Sequence, residues 1–146
     1  YYKYFGDTEY KNYTDYIEEL SEVTLNIFRR LLNDVGDRQI IIPLSAGNDS
    51  RLIASVLKHL GASNVKCYSY GSAGNFEVSI SKIVAEKLGY EWIFVPLTHK
   101  SESFFYDSTE YKDYLKFAET YCSVPYIQSL STIKYLKEMK IYWIIW

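Results

Sequence analysis

The sequence has few cysteines, methionines and prolines. Its 146 residues include two cysteines, one methionine and three prolines. Cys67 and Cys122 stand alone, without the paired spacing of a zinc site or the density of a disulfide framework. We expect both thiols to be reduced, with Cys67 packing in a strand as a small apolar side chain. This cysteine usage favours a cytoplasmic location.

Excess charge of one sign and long apolar runs are also lacking. The chain has 16 basic and 18 acidic residues, a formal net charge of -2, which offers no general attraction for nucleic acid or an anionic membrane. Its apolar runs are far shorter than the roughly 20 residues that span a bilayer. Residues 1–10 do not have the pattern of a signal peptide. We therefore expect neither nucleic acid nor a membrane as a partner.

Tyrosine, by contrast, is abundant, with 16 residues that cluster in the first part of the chain and again over 106–126. One interpretation is a surface on which bases or sugars stack. The other is the partly buried faces of helices. Because basic residues do not alternate with the tyrosines as nucleic-acid binding requires, packing is the favoured interpretation.

Hydrophobic periodicity divides the chain into alternating helices and strands. A first helix is predicted from Thr14 or Asp15 to about Asn33, and its inner face is formed by Ile17, Leu20, Thr24, Ile27, Phe28 and Leu31. Predicted strands then alternate with helices in the order 39–44, 50–60, 65–70, 76–88 and 91–95. This alternation implies an α/β fold with parallel strands and right-handed crossovers.

The pattern is less regular after Pro96. A polar loop is predicted over 98–107, followed by helices over 109–120 and 127–138 on either side of Pro125. The apolar run 141–146 is typical of one more buried strand.

The most informative segment joins the first predicted strand to the second helix. It consists of Ser45, Ala46, Gly47, Asn48, Asp49 and Ser50. Small and hydroxylated residues between a buried strand and a helix are typical of a phosphate site, where backbone N–H groups and the helix dipole favour an anion. The Walker loop requires a lysine before the Ser or Thr, and the dinucleotide loop requires three glycines. This segment has neither, so both types are excluded.

The segment resembles the PP-loop, S-G-G-x-D-S, of the N-type ATP pyrophosphatases at five of its six positions, with Ala46 replacing the first glycine. Alanine is tolerated there if its φ is negative and space remains beside the phosphates. Over about 13–146 the chain is similar to the synthetase domain of asparagine synthetases and the related β-lactam synthetases. The similarity includes Tyr68-Ser69-Tyr70-Gly71, the helix over 77–89 and a helical substrate-side segment around Pro125, Tyr126 and Ile127.

This resemblance implies a three-layer αβα fold with a mainly parallel, Rossmann-like sheet, as in the adenine nucleotide alpha hydrolase-like proteins. It also implies an ATP-dependent, amide-forming ligase that activates a carboxylate as its adenylate and releases AMP and pyrophosphate. ATP and Mg²⁺ would be the cofactors, and a small-molecule carboxylate and an amine would be the substrates. A glutaminase domain or subunit would be the candidate source of the amine nitrogen.

The resemblance also implies roles for individual residues. The loop residues Ser45 to Ser50 would hold the β and γ phosphates, and Asp49 would bind magnesium. The adenosine neighbours would be Leu44, Ser69, Tyr70 and Gly71. Glu77 begins the third helix at the same edge of the sheet, and its position allows two interpretations. It orients the ribose, a metal-bound water or a substrate ammonium, or it is the acidic residue common in a first helical turn, which is the favoured interpretation. No side-chain nucleophile or other catalytic residue is assigned.

The family comparison further predicts that residues 1–146 form a partial domain that is inactive alone. Tyr1 cannot serve as the nucleophilic cysteine of a glutaminase domain, and the second acidic loop of the family is expected beyond Trp146. Two alternatives stay open. One is a non-catalytic or degenerate adenine-nucleotide-binding module, of which Ala46 would be a symptom. The other is a PP-loop sulfur or nitrogen transferase, although such proteins commonly carry basic or cysteine-rich features that this chain lacks.

Overall fold

A computed structural model describes residues 11–118, 127–141 and 144–145. The chain divides into two compact units, Tyr1–Asp34 and Val35–Trp146. Several predictions of the sequence lie outside the described residues: the first tyrosine cluster up to residue 10, Cys122, and the segment around Pro125 and Tyr126. No helix in the described part of the chain is long and apolar enough to cross a bilayer.

Helix α1 covers Tyr13–Val35. It begins earlier than predicted because the side chain of Asn12 accepts a hydrogen bond from the Asp15 N–H at 3.0 Å, as a helix N-cap does. The predicted inner face is wrong over much of its length, since Ile17, Leu20 and Ile27 are exposed. Periodicity identifies an apolar stripe, but it does not identify what covers that stripe.

The second unit contains a four-stranded parallel sheet. Its strands are β1 (Ile40–Pro43), β2 (Val65–Gly71), β3 (Glu91–Pro96) and β4 (Ile144–Ile145). Their spatial order is β3-β2-β1-β4, and Ile40 pairs with both Val65 and Ile144. This is the order of the first four strands of a Rossmann sheet. The three strands predicted between residues 39 and 95 are therefore confirmed, and of the strand predicted over 141–146 the structure describes residues 144–145.

Five helices accompany the sheet: α2 (Asn48–His59), α3 (Phe76–Leu88), α4 (His99–Tyr106), α5 (Thr109–Ala118) and α6 (Ile127–Glu138). Helix α3 begins at an Asn75 cap and ends at Gly89, which adopts the left-handed conformation with φ 70°. Helix α2 begins at Asn48, two residues before its predicted start, and Gly47 is its N-cap residue.

Helix α4 contradicts the polar loop predicted for 98–107. Thr98 and Ser101 form a capping box at its start: the Ser101 N–H donates to Thr98 Oγ1 at 3.1 Å, and the Thr98 N–H donates to Ser101 Oγ at 3.0 Å. The usual sequence sign of this motif has Glu or Gln at the fourth position. Here a serine performs that role, so the polar segment resembles a loop in sequence.

Helices cover both faces of the sheet. On one face, a cluster joins sheet residues to α6 and the segment after it, with Ile41, Tyr68, Ile93, Val95, Leu136 and Ile141 buried together. The other face includes Cys67 and Trp92, since alternate residues of a strand point to opposite sides. There Trp92 Nε1 donates to Ser81 Oγ of α3 at 3.2 Å. The second unit is therefore a three-layer αβα structure, as predicted.

The side chain of Cys67 is fully buried within this second face. Burial raises the pKa of its thiol to about 12, because a thiolate would lose its hydration there. The thiol is therefore protonated at neutral pH, and the prediction that Cys67 packs as a small apolar side chain is confirmed.

Candidate functional site

Two serines hold the 45–50 loop in shape at the carboxyl end of β1. The Ser45 N–H donates to Ser50 Oγ at 3.1 Å, and the two hydroxyl oxygens lie 3.1 Å apart. Ser45 Oγ also accepts the Gly47 N–H at 3.0 Å. Each end of the loop is thus bonded to the other, and the loop geometry depends on both hydroxyls.

The amino end of α2 is open to an anion. Its cap residue, Gly47, has φ -71° and ψ 157° and makes no side-chain capping hydrogen bond. The N–H groups of the first helical turn therefore receive no acceptor from the cap, and the helix dipole adds partial positive charge. A Cβ atom on Gly47 would lie 3.1 Å from Ser45 Oγ, so a side chain would disturb the loop. These donors fit a phosphate group.

Two charged side chains flank this helix start. Asp49 lies in the first turn and is exposed. Arg51 Nε donates to the Gly47 carbonyl at 3.1 Å, and its Nη2 donates to Asn48 Oδ1. The guanidinium is thereby held beside the helix start, where it adds a positive charge to the surroundings of the loop.

Ala46 has the backbone conformation that its methyl group requires. Lys140, with φ 58°, is the one non-glycine residue with positive φ among residues 11–118, 127–141 and 144–145. The φ of Ala46 is therefore negative, a region that alanine adopts without strain. Alanine in place of the first glycine of the PP-loop pattern therefore does not strain the backbone of the loop.

Leu44 uses both of its main-chain polar groups within the sheet. Its N–H donates to the Tyr68 carbonyl at 2.8 Å, and its carbonyl accepts the Ser69 hydroxyl at 2.6 Å. The Ser69 and Ser81 hydroxyl oxygens lie 2.5 Å apart, and Ser81 Oγ accepts a hydrogen bond from Trp92 Nε1. A buried hydrogen-bonded chain thus runs from Leu44 to Trp92 and fixes the start of the loop.

The sequence did not indicate a role for Ser81 or Trp92. The available signal was a serine within the otherwise apolar buried face of α3, where it is completely shielded from solvent. Buried hydroxyl groups are nearly always hydrogen-bonded, so such a serine indicates a buried polar partner.

Two adjoining pockets lie at the carboxyl end of β2, and the first of them reaches the loop at Ser45. The first pocket, of about 200 Å³, brings together three of the predicted adenosine neighbours with a loop serine: Leu44, Ser69, Tyr70 and Ser45. Gly71 lies instead in the second pocket, of about 310 Å³, with Asn75, Thr98, His99, Glu102 and Gln128. Tyr70 and Glu77 line both pockets. Glu77 therefore lies where the two pockets meet.

Asp49 has no cluster of further metal-binding side chains around it among the residues that the structure describes. In the described part of the chain, no group of three or more His, Cys, Asp or Glu side chains is arranged to hold a metal ion. Mg²⁺ often binds through one or two carboxylates together with substrate phosphates. A single exposed carboxylate beside the open start of α2 fits that mode of binding.

The chain is similar to a known protein family and to solved structures. The model of the asparagine synthase family matches residues 27–136. No curated protein matches the chain. Among solved structures, the chain is similar to an NH3-dependent NAD synthetase from Campylobacter jejuni in complex with the nitrate ion, with 15% identity and a TM-score of 0.47. That similarity covers 85% of this chain and 49% of the synthetase, so the chain spans about half of its length.

Proposed function

Because the chain belongs to the asparagine synthase family, we propose that it carries the nucleotide site of an ATP-dependent ligase that forms amide bonds. The ligase would activate a small-molecule carboxylate as its adenylate and pass it to an amine. The observation that supports this proposal best is the serine-held loop at the open start of α2, next to the pocket at the ends of β1 and β2.

The β and γ phosphates would bind at the start of α2. Their ligands would be the N–H groups of the first turn, in the loop formed by Ser45, Ala46, Gly47, Asn48, Asp49 and Ser50. Backbone donors held in place before the substrate arrives need no rearrangement as charge develops on the leaving pyrophosphate. Arg51 would add positive charge nearby, since its guanidinium is held at the Gly47 carbonyl.

The adenosine would occupy the first pocket. Leu44 has little to offer the adenine edge, because its N–H and carbonyl are already bonded to Tyr68 and Ser69. The main chain of Ser69 and Tyr70 would then supply the polar contacts, since Gly71 lies in the second pocket and its carbonyl already accepts the Leu97 N–H at 3.0 Å. The aromatic side chain of Tyr70 is 39% exposed and would provide a surface for a base.

Asp49 would hold Mg²⁺ between its carboxylate and the phosphates. The ion would supply the positive charge that lets a carboxylate and a polyphosphate lie side by side. In the reaction, an oxygen of the substrate carboxylate attacks the α phosphorus and pyrophosphate leaves. The amine nitrogen then attacks the acyl carbon and AMP leaves. Positioning and charge stabilisation can carry both steps without a side-chain nucleophile.

Two further parts of the proposal concern the whole protein. A glutaminase domain or subunit is our candidate for the source of amine nitrogen, unless the amine is bound directly. A reaction that consumes ATP also fits the cytoplasm, which is our proposed location for the protein.

The proposal is tested by incubating the full-length protein with ATP labelled at the α phosphate, Mg²⁺ and a panel of carboxylates and amines. Chromatography should reveal labelled AMP that depends on a carboxylate. ATP binding without AMP from any carboxylate would favour the non-catalytic nucleotide-binding module. AMP formation that depends on a transfer RNA or a sulfur donor would favour the transferase.

The substitution Ala46→Gly is expected to have a small effect. Since the φ of Ala46 is already negative, glycine would only add freedom to the unfolded chain, which should lower the free energy of unfolding by about 0.4–1 kcal/mol. The affinity for ATP with Mg²⁺ should change less than about threefold, because the loop needs no glycine here. Urea unfolding and calorimetric titration measure both quantities. A large gain in ATP affinity would instead show that the methyl group crowds the phosphates.

A further inference from the structure

Glu102 of α4 has a carboxylate that is only half satisfied by the described residues. Its Oε1 accepts the Ser131 hydroxyl of α6 at 2.8 Å. Its Oε2 is shielded from solvent and has no hydrogen-bond partner among residues 11–118, 127–141 and 144–145. Leaving a buried carboxylate oxygen without a partner is unfavourable, so this oxygen is suited to a hydrogen-bond donor that carries positive charge.

The same side chain lies between two cavities. Glu102 lines the second pocket and also a third pocket of about 420 Å³. The third pocket is largely apolar, with walls that include Pro96, Leu97, Phe104, Phe105 and Tyr135. Its volume is within the range of small-molecule sites. A ligand bound at Glu102 therefore has a largely apolar space on one side and the second pocket on the other, and the second pocket adjoins the first at Tyr70 and Glu77.

The charges around the third pocket favour a cation. Glu102, Glu110 and Glu138 line it, together with one basic residue, Lys134. Lys134 is already engaged, since its Nζ lies 3.4 Å from Glu110 Oε1 and 5.6 Å from the centre of the Phe105 ring. It is therefore not placed to neutralise Glu102, and the pocket keeps an excess of negative charge.

We propose that Glu102 binds the ammonium group of an organic primary amine and that the third pocket holds the apolar substituent of that amine. The amine would be the acceptor substrate of the ligase, so its role in the reaction rests on the proposed function. One ammonium proton passes to the Glu102 carboxylate. The neutral nitrogen then forms a bond to the acyl carbon, the bond from that carbon to the AMP oxygen breaks with its electron pair leaving on AMP, and the second proton goes to solvent.

The binding step is tested on the full-length protein without ATP, by calorimetric titration with hexylamine, methylamine and hexan-1-ol. Hexylamine should bind at least about tenfold more tightly than hexan-1-ol, which lacks the charge. It should also bind at least about tenfold more tightly than methylamine, which lacks the apolar chain. Hexylamine that binds no better than either compound would overturn the proposal.

Two variants locate the binding. Glu102→Gln keeps the shape of the side chain and should weaken hexylamine binding by about tenfold or more, without changing hexan-1-ol binding. Phe104→Ala removes a side chain that is 81% exposed, so it should fold normally and weaken hexylamine binding but not methylamine binding. The control is Glu86→Gln, an exposed glutamate of α3 that pairs with Lys82 and should leave every affinity unchanged. Unaltered hexylamine binding in both test variants would contradict the proposal.

The outcomes separate this inference from the proposed function. A protein that releases AMP with a carboxylate but does not bind hexylamine disproves the amine site alone. A protein that binds hexylamine through Glu102 but never forms AMP disproves the ligase reaction alone.

Discussion

Replacing Asp49 with alanine is expected to abolish the magnesium-dependent part of ATP binding. Asp49 lies in the first turn of α2, beside the N–H groups that would bind phosphate. Without its carboxylate the ion loses the ligand that this part of the chain supplies, and even indirect partners of metal ions are commonly worth about 10–100-fold in affinity. We therefore expect ATP affinity in Mg²⁺ to fall about 100-fold or more, to a value near that measured in EDTA. Calorimetric titration in both buffers measures the difference.

The matched control for this variant is Asp15→Ala, since Asp15 is also an acidic residue in the first turn of a helix. It should leave ATP binding unchanged in either buffer. Equal affinities of Asp49→Ala and the original protein for ATP in Mg²⁺ would disprove the assignment of Asp49 as the metal ligand.

Replacing Leu136 with alanine is expected to cause the largest loss of stability. This α6 side chain is completely buried and packs in the cluster that contains Ile41 and Ile93 of the sheet. Leucine-to-alanine changes in such positions remove apolar contacts and leave a cavity, at a typical cost of about 2–5 kcal/mol. Urea unfolding followed by circular dichroism should show a midpoint well below that of the original protein.

Leu52→Ala provides the comparison, because Leu52 is on α2 in the same unit but is 55% exposed. Its effect should be within about 0.5 kcal/mol, as is usual for surface substitutions. Similar losses for the two variants would show that α6 does not pack on the sheet in the way described.

The parallel sheet could be predicted from the sequence because its strands are buried on both faces. Ile40, Ile41 and Ile42 are all fully buried, and a continuous apolar run of this kind is the direct result of helices on either side. The stop of α3 at Gly89 was equally clear, since the left-handed conformation there favours glycine. These features depend on local chemistry, so one sequence is enough to reveal them.

Two other elements could not be predicted, for different reasons. Helix α4 could not be recognised because its capping box uses Ser101 where glutamate or glutamine is usual. The exposure of Leu20 and Ile27 on α1 could not be predicted either. Their spacing indicates an apolar stripe, but the contacts of that stripe are a property of the folded protein.

In the candidate site, too, some features could be predicted from the local sequence and others depend on contacts between distant residues. The position and composition of the 45–50 loop were evident from the strand before it and the helix after it. The use of the Leu44 main-chain groups by Tyr68 and Ser69 was not, since it depends on how β1 and β2 align. Glu102 was also missed, because its significance comes from a contact with Ser131 on a different helix.

The pairing of β1 with β4 affects the order in which this sheet can fold. Strands β1, β2 and β3 are connected by short crossovers, whereas Ile40 meets Ile144 from the far end of the described chain. Pairs so distant in sequence close slowly. During folding, the backbone N–H and C=O groups on one side of β1 therefore stay open until β4 has paired with it. Such an open edge can pair with another chain, so we expect refolding yields to fall as protein concentration rises.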